Sequence, residues 1–323
     1  LQRQAEPMPW PRIREALELQ YGDIDHYFSQ IEERPFASAS MGQVHRATTH
    51  EGETIVLKVQ YPGLADVLES DLIQVRRIMR LGRWFKVPQA RLDALFEELA
   101  ESLRGELDYQ DDPRLVIPEP LPALSGQHVL AMRYVQGTPL RELAEADDAT
   151  RQGIAQALAD WITQELFTHG ELHADPHAGN FAADAEGRLV IYDLGAVISV
   201  PEGRIKAMMQ LLDATLKHDP MGMDEALMGG RQGQGAPLSL YRESADCIAP
   251  LFAPGEQDFG DVRVHRQLRE LTPKVWAAMD RLQPPADTLL LSRALNGHYW
   301  NLVRLGARLD MHARTLPLLT RAH

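Results

Sequence analysis

The chain has little cysteine, lysine or asparagine, and it contains no long apolar run. Its single cysteine, Cys247, excludes an internal disulfide and any zinc site built from several cysteines. The longest nearly apolar stretch, LVIYDLGAVISV, is too short to cross a bilayer and includes Asp193. We therefore expect no transmembrane segment, no signal peptide and a reducing, cytoplasmic location, with peripheral membrane contact allowed.

Positive charge is also in short supply, because the 323 residues carry a net charge of −13. Such a chain has no standing attraction for a phosphate backbone, so we expect no nucleic-acid partner. Apolar residues make up 44% and charged residues 24%, which is ordinary for a folded globular protein. The length allows one large or two ordinary domains, and therefore an enzyme.

The scarcity of lysine and asparagine gives weight to the few positions where they occur. Only five of the 33 basic residues are lysine, and the three asparagines are Asn180, Asn296 and Asn301. Where arginine is the usual cation, a lysine inside an apolar strand pattern indicates a specific requirement.

Apolar spacing and turn residues predict a small β-rich region followed by a larger helical one. The predicted elements are a helical segment over 11–32 broken at Gly22, strands over 43–47 and 54–60 joined at Glu51-Gly52, helices over 65–108, a strand over 129–137, helical periodicity over 139–169, two short strands between 181 and 195, and helices beyond Pro201. We place the boundary near residue 137, which gives regions 1–137 and 138–323.

The segment from Ala37 to Lys58 has the composition of a phosphate-binding element. Small residues let a backbone approach a ligand closely, and a lysine on the neighbouring strand can place its ammonium on a phosphate. Lys58 lies in the apolar run IVLKV, where a buried lysine needs a partner. The acidic stretch ELDYQDD, with Glu106, Asp108 and Asp112, is the natural source of that partner, although an acidic run can also be a solvated face.

The loop LHADPHAGN and the later YDLG supply a carboxylate, an amide and a second carboxylate in sequence: Asp175, Asn180 and Asp193. Carboxylate and amide oxygens are suitable ligands for a magnesium ion that also carries phosphates. Asn180 and Asp193 would then bind the metal, and Asp175 would orient or deprotonate an acceptor.

Two other interpretations of this loop remain open. His173, Asp175 and His177 resemble a catalytic zinc or di-iron ligand set, although that assignment leaves Asn180 and Lys58 without a role. The two histidines can instead bond backbone groups around a tight turn, which is compatible with phosphate transfer.

Several motifs together resemble the UbiB-like (AarF-domain) atypical kinases, which include the coenzyme Q biosynthesis kinases. They are ASASMGQVHRA, IVLKVQYPG, ELDYQDD, HVLAMRYVQG, GELHADPHAGN and IYDLG, in the family's order, over about residues 6–200. The stretch LSRALNGHYWNLVRLGAR resembles the family's C-terminal helical part. The resemblance implies an α+β, protein-kinase-like two-lobed fold with a small β-rich N-lobe (1–137) and a larger, mostly helical C-lobe (138–323).

The resemblance also implies a role for each candidate residue, with ATP or ADP and magnesium as cofactors. Ala37, Ser38, Ala39, Ser40 and Met41 form the alanine-rich nucleotide loop, and Lys58 pairs with phosphates. Glu106 and Asp108 match a Glu-x-Asp signature. Asp175 is the catalytic aspartate, and Asn180 and Asp193 are the metal ligands.

Three departures from the family pattern are evident. Asp112 stands where the family has glutamate, and the following stretch is shortened to PRLVIP, so Lys58 has two candidate partners, Glu106 and Asp112. Leu194 replaces a phenylalanine. The family's Lys-x-Gly-Gln signature is absent, and the first residue corresponds to a point just after it.

The sequence therefore predicts an ATP-binding atypical kinase or ATPase that supports ubiquinone biosynthesis, with lipid or quinone-biosynthesis proteins as partners. Two alternatives are a nucleotide-binding pseudokinase scaffold and a small-molecule phosphotransferase of the aminoglycoside or choline kinase type. The latter shares the H-x-D-x-x-x-x-N loop but lacks the alanine-rich loop followed by QVH.

Overall fold

A computed structural model describes residues 7–39, 42–61, 112–126, 128–193, 196–229, 235–282 and 286–321. The chain divides into two compact units. Unit 1 comprises residues 1–110 and 117–136, and unit 2 comprises residues 111–116 and 137–323.

Unit 1 is built on a five-stranded antiparallel sheet in the order β1-β3-β4-β6, with β2 paired to β3. Its elements are helix α1 (Trp10–Tyr21) and strands β1 (Phe28–Ile31), β2 (Ala37–Ala39), β3 (Gly42–Thr49), β4 (Thr54–Gln60) and β6 (Val129–Arg133). Helix α1 packs Ile13 and Leu17 against one face of the sheet, where Ile55, Leu57 and Val59 are fully buried. Alternate residues of β4 therefore form the core of this unit.

Lys58 lies on the other face of the sheet, since side chains alternate along a strand. Strand pairing sets Ala37, Val44, Lys58 and Leu130 side by side across β2, β3, β4 and β6. Val44, Lys58 and Leu130 are each partly exposed. The lysine thus belongs to a row of small and aliphatic side chains on the face away from α1.

One predicted element of unit 1 is wrong. The helical pattern over 11–32 ends at Gly22, where φ is +70°, and the chain then forms β1 instead of a second helical stretch. Strand β1 pairs with the end of β3, with Ile31 opposite Ala47. Apolar residues at helical spacing were here buried by a sheet, because pairing to a distant strand overrides a local pattern.

Unit 2 combines short strands with most of the helices. The strands are β5 (Leu115–Val116), β7 (Thr138–Pro139), β8 (Glu171–His173), β9 (Phe181–Ala183), β10 (Leu189–Ile191), β11 (Val197–Ser199), β12 (Gln257–Asp258) and β13 (Arg308–Leu309). The helices are α2 (Asp148–Gln164), α3 (Glu202–Leu216), α4 (Pro220–Met228), α5 (Leu238–Ile248), α6 (Val262–Leu282), α7 (Ala286–Arg304) and α8 (Met311–Arg321). The predicted α+β class is confirmed.

Within unit 2, one small sheet has the order β5-β10-β9-β7 and a separate pair joins β8 to β11. Helix α2 continues into a single π-helical turn, Glu165–His169, which ends at Gly170 with φ at +70°. Strand β8 starts directly after that glycine, so α2 leads into the polar loop as predicted. None of the helices within the described ranges is both long and apolar enough to span a bilayer.

The close approach of β3 to β4 depends on a glycine at the start of β3. A Cβ added at Gly42 would lie 2.3 Å from the Val59 carbonyl oxygen, which is backbone and cannot swing away. We predict that Gly42→Ala lowers the free energy of unfolding of unit 1 by about 1–3 kcal/mol. Chemical unfolding followed by hydrogen exchange of β3 and β4 measures this effect.

Gly203→Ala is the matched control, because nothing lies within 4 Å of the added methyl group and the residue is in α3. It should leave the stability unchanged or raise it slightly. Equal stability of the two variants would show that β3 and β4 can separate at Gly42 without cost.

Candidate functional site

The polar loop that joins β8 to β9 is shaped by its own side chains. His177 precedes a 3-10 turn, Ala178–Asn180, and its Nδ1 accepts a hydrogen bond from the Gly179 amide at 3.1 Å. The Asn180 backbone N–H donates to the His177 carbonyl at 2.9 Å. The loop therefore turns back on itself within four residues.

Asn180 holds Asp175 in place. Its Nδ2 donates to both the Asp175 carbonyl oxygen and the Asp175 carboxylate oxygen Oδ2, each at 3.0 Å. This double contact fixes the amide so that Nδ2 faces Asp175 and Oδ1 faces away. Both residues are only partly buried, so solvent and ligands can reach them.

Asp193 is tied to the same loop through the backbone. The Tyr192 amide donates to the Asn180 carbonyl at 2.8 Å, and His173 Nε2 donates to the Asp193 carbonyl at 2.5 Å. All three predicted chemical residues of this unit thus belong to one hydrogen-bonded assembly.

The side-chain chemistry of this assembly fits a magnesium ion. With Nδ2 committed to Asp175, Asn180 Oδ1 is oriented as a neutral oxygen ligand, and Asp193 supplies a carboxylate. Hard oxygen ligands of this kind, with few protein contacts, are typical of magnesium that also binds phosphate.

Four rings support the loop from inside the unit. Trp161 of α2, His173 of β8, Phe181 of β9 and His298 of α7 are all buried, and every pair of their ring centroids is 5.7–6.2 Å apart. Such tilted and edge-on arrangements are favourable beyond the burial itself. The cluster fixes the start of the loop, His173, and its end, Phe181.

The interpretation of the two histidines as turn-forming residues is confirmed. His177 accepts from the Gly179 amide and His173 donates to the Asp193 carbonyl, so each ring is bonded to the backbone of this site. Among the residues that the structure describes, no group of three histidine, cysteine or acidic side chains is arranged to hold a metal.

The predicted nucleotide segment lies in unit 1. Ala37, Ser38 and Ala39 form β2, with Ala37 opposite Val44 and Ala39 opposite Gly42. Ser40 and Met41 lie outside the described residues.

Just before this segment, the Arg46 guanidinium contacts the rings of Phe36 and Tyr134, 4.8 and 4.5 Å from their centroids, and the two rings meet edge-on. These cation–π contacts help to hold Phe36, the residue that precedes β2.

Asp112 pairs with Arg114, whereas the sequence suggested it as a partner of Lys58. Arg114 donates to both of its carboxylate oxygens, at 3.0 and 2.7 Å, and these bonds lower the pKa of the Asp112 carboxyl. Arg114 also pairs with Asp160 of α2 at 2.7 Å, and Asp160 accepts from Arg314 of α8. Asp112 therefore serves a structural network inside unit 2.

The other candidate partners of Lys58, Glu106 and Asp108, lie outside the described residues, as do the predicted helices over 65–108 and Leu194.

Sequence reasoning missed the contribution of α7 to this site. His298 Nε2 donates to the His173 carbonyl at 3.0 Å, and Asn301 Nδ2 donates to the Pro176 carbonyl at 2.8 Å. The one available signal was composition, since Asn301 is one of only three asparagines in the chain.

Comparison with known proteins gives a consistent assignment. The family model for the ABC1 atypical kinase-like domain matches residues 1–227. The mitochondrial atypical kinase COQ8B of Danio rerio is 27% identical over 331 residues, which covers 95% of this chain and 52% of that protein. An uncharacterized protein of Synechocystis is 32% identical over 230 residues, which covers 64% of this chain and 41% of that protein.

This chain spans about half the length of the curated relatives that it matches. A solved Mycobacterium tuberculosis protein, Rv3197, determined in complex with erythromycin, has a TM-score of 0.74 and 22% identity over 97% of this chain and 83% of that protein. That likeness concerns the fold, and the predicted two-lobed, protein-kinase-like fold is confirmed.

The ring cluster makes stability depend on pH. Burial lowers the pKa of His298 from its ordinary value of 6.5 to about 4, although the nearby Asp175 charge opposes the shift. As the pH falls, His298 therefore binds a proton in the unfolded chain before it does so in the folded protein. The free energy of unfolding decreases as pH falls from about 6.5 towards 4.

We predict that His298→Phe, which keeps a ring in the cluster, removes about 3 kcal/mol of this pH dependence. Urea unfolding of both proteins between pH 4 and 7 measures the difference. Parallel pH profiles would mean that His298 takes up its proton over the same pH range in the folded and the unfolded chain.

Proposed function

Because this chain belongs to the ABC1 atypical kinase-like family, we propose that it is a magnesium-dependent ATPase or phosphotransferase. The observation that supports this most strongly is the hydrogen-bonded assembly of Asp175, Asn180 and Asp193. An oriented carboxylate, with an amide oxygen and a second carboxylate residue on the same hydrogen-bonded backbone, would suit phosphoryl transfer.

In this proposal, Asp175 orients the phosphoryl acceptor, which is water or a hydroxyl group. Its Oδ2 accepts the hydrogen bond from Asn180, so Oδ1 is the oxygen that receives the acceptor's proton or hydrogen bond. Holding the carboxylate in one rotamer in advance lowers the entropic cost of reaching the reactive geometry.

Asn180 Oδ1 and the Asp193 carboxylate would hold magnesium, which when bound neutralises phosphate charge. Asp193 is held on the polar loop by the bond from His173 Nε2 to its backbone carbonyl.

The face of the unit 1 sheet away from α1 supports a nucleotide-binding role. Lys58 is flanked by Val44 and Leu130 in the same cross-strand row, with Ala37 beyond Val44. Aliphatic side chains suit a nucleobase, and the lysine ammonium suits the α- and β-phosphates. We propose that ATP or ADP binds over this row, with the segment from Ala37 to Met41, whose first three residues form β2, contacting the phosphates.

We further propose a role in isoprenoid quinone biosynthesis, with a lipid or quinone-biosynthesis protein as partner. The support is the similarity to atypical kinases such as the mitochondrial COQ8B, together with the motifs shared with the coenzyme Q biosynthesis kinases. A cytoplasmic location with peripheral membrane contact stays a prediction.

The test is magnesium-dependent release of phosphate from ATP by the purified chain. We predict that Asp193→Asn and Lys58→Met each reduce turnover by about a hundredfold or more. Asp246→Asn and Lys206→Met are the matched controls, since both side chains lie in exposed ion pairs, and they should keep native turnover.

Three results would contradict the proposal in different ways. Nucleotide binding without any turnover would identify a scaffold. Transfer to alcohols or aminoglycosides alone would identify a small-molecule phosphotransferase. Turnover that survives Asp193→Asn would mean that the phosphate is handled elsewhere.

A further inference from the structure

Helix α7 contacts the polar loop on both sides of Asp175. His298 bonds the carbonyl of His173, two residues before the aspartate, and Asn301 bonds the carbonyl of Pro176, the residue after it. His298 and Asn301 are each 2% exposed, so water competes little for these bonds. Asp175 thus lies on a short segment whose backbone is held at both ends by one helix.

The helix reaches the loop because residue 297 is glycine. A Cβ at this position would lie 2.1 Å from Pro176 Cγ and 2.8 Å from Pro176 Cβ, and a proline ring cannot rotate away. Gly297, His298 and Asn301 are spaced so that the first and last lie one helical turn apart on one face. Close approach and hydrogen bonding therefore occur at the same surface.

Both donor groups have a fixed orientation. The Asn301 amide oxygen accepts from Arg304, at 3.4 Å, which leaves Nδ2 for the Pro176 carbonyl. A carbonyl can only accept, so His298 carries its proton on Nε2, and its ring is held by Trp161 and Phe181. A rigid pair of donors of this kind positions a backbone rather than merely covering it.

We propose that His298 and Asn301 are positioning residues for Asp175, and that α7 acts as a clamp on the catalytic loop. The clamp lies beyond residue 227, where the match to the family model ends. This inference rests on the proposed function for its catalytic consequence, whereas the effect on the loop itself can be measured without turnover.

The test uses two variants that disturb the clamp in different ways. Asn301→Ala removes one donor, and Gly297→Ala separates the helix from Pro176 while both donors remain. Their controls are Asn296→Ala, an exposed asparagine on the same helix, and Gly153→Ala, a glycine in α2 with nothing within 4 Å of the added methyl group.

We expect each clamp variant to lower kcat for ATP hydrolysis by about tenfold or more, because a small displacement of a catalytic carboxylate is enough for such a loss. KM for ATP should stay within about twofold, since the proposed nucleotide residues of unit 1 are untouched. Amide hydrogen exchange of residues 171–183 should become about tenfold faster. The controls should match the native chain in all three measurements.

Gly297→Ala separates the clamp from a simple helix-stability effect. Alanine is the better helix former, so a role in helix stability alone predicts unchanged or slower exchange. Native kcat and native loop exchange in both variants would overturn the clamp.

If the native chain hydrolyses no ATP, the proposed function fails. Amide hydrogen exchange of residues 171–183 alone then decides whether α7 holds the loop. Faster exchange in both clamp variants would then support the clamp as a structural device, and unchanged exchange would refute it.

Discussion

The hydrogen bond from His173 Nε2 to the Asp193 carbonyl is the constraint on which the site depends. It joins the strand that starts the polar loop to the residue that follows β10, so Asp175 and Asp193 move as one piece. The bond exists only while the ring carries its proton on Nε2. Because the ring is fully buried, a change of its orientation would require repacking of Trp161 and Phe181 as well.

Using histidine instead of phenylalanine in the ring cluster has a physical reason. His173 and His298 pack as aromatic rings, but each also donates an N–H from the buried ring cluster to a backbone carbonyl. An unsatisfied buried carbonyl costs about 1–3 kcal/mol, so each histidine satisfies a group that phenylalanine would leave unpaired. The cost is sensitivity to acid, because protonating a buried ring is unfavourable and burial lowers the pKa of His298 to about 4.

The parts that could be predicted from the sequence are those set by local pattern or by a dense motif. Strand β4 has the predicted bounds, Thr54–Gln60, and the loop around Asp175 and Asn180 lies between the expected helix and strand. The failures at β1 and α7 involve partners that are distant in the chain. Strand β1 was predicted as helix because its pairing to β3 has no local signature. The contacts of His298 and Asn301 span 125 residues, and the commitment of Asp112 to Arg114 became evident only once α2 and α8 were in place.

The different contacts that arginine and lysine side chains make in this chain support the proposed phosphate-binding role of Lys58. Arginine makes the fixed, forked contacts of the fold: Arg114 binds both oxygens of Asp112 and reaches Asp160, while Arg46 contacts two aromatic rings. Lys206, Lys217 and Lys274 form single ion pairs between exposed side chains. Strand β4 instead carries a lysine at an inner position of a sheet, in a chain that otherwise prefers arginine. A compact ammonium on a flexible stem can follow phosphates that shift during transfer, which a planar fork cannot do as well. A structural ion pair alone would not require lysine there, whereas a mobile polyphosphate would.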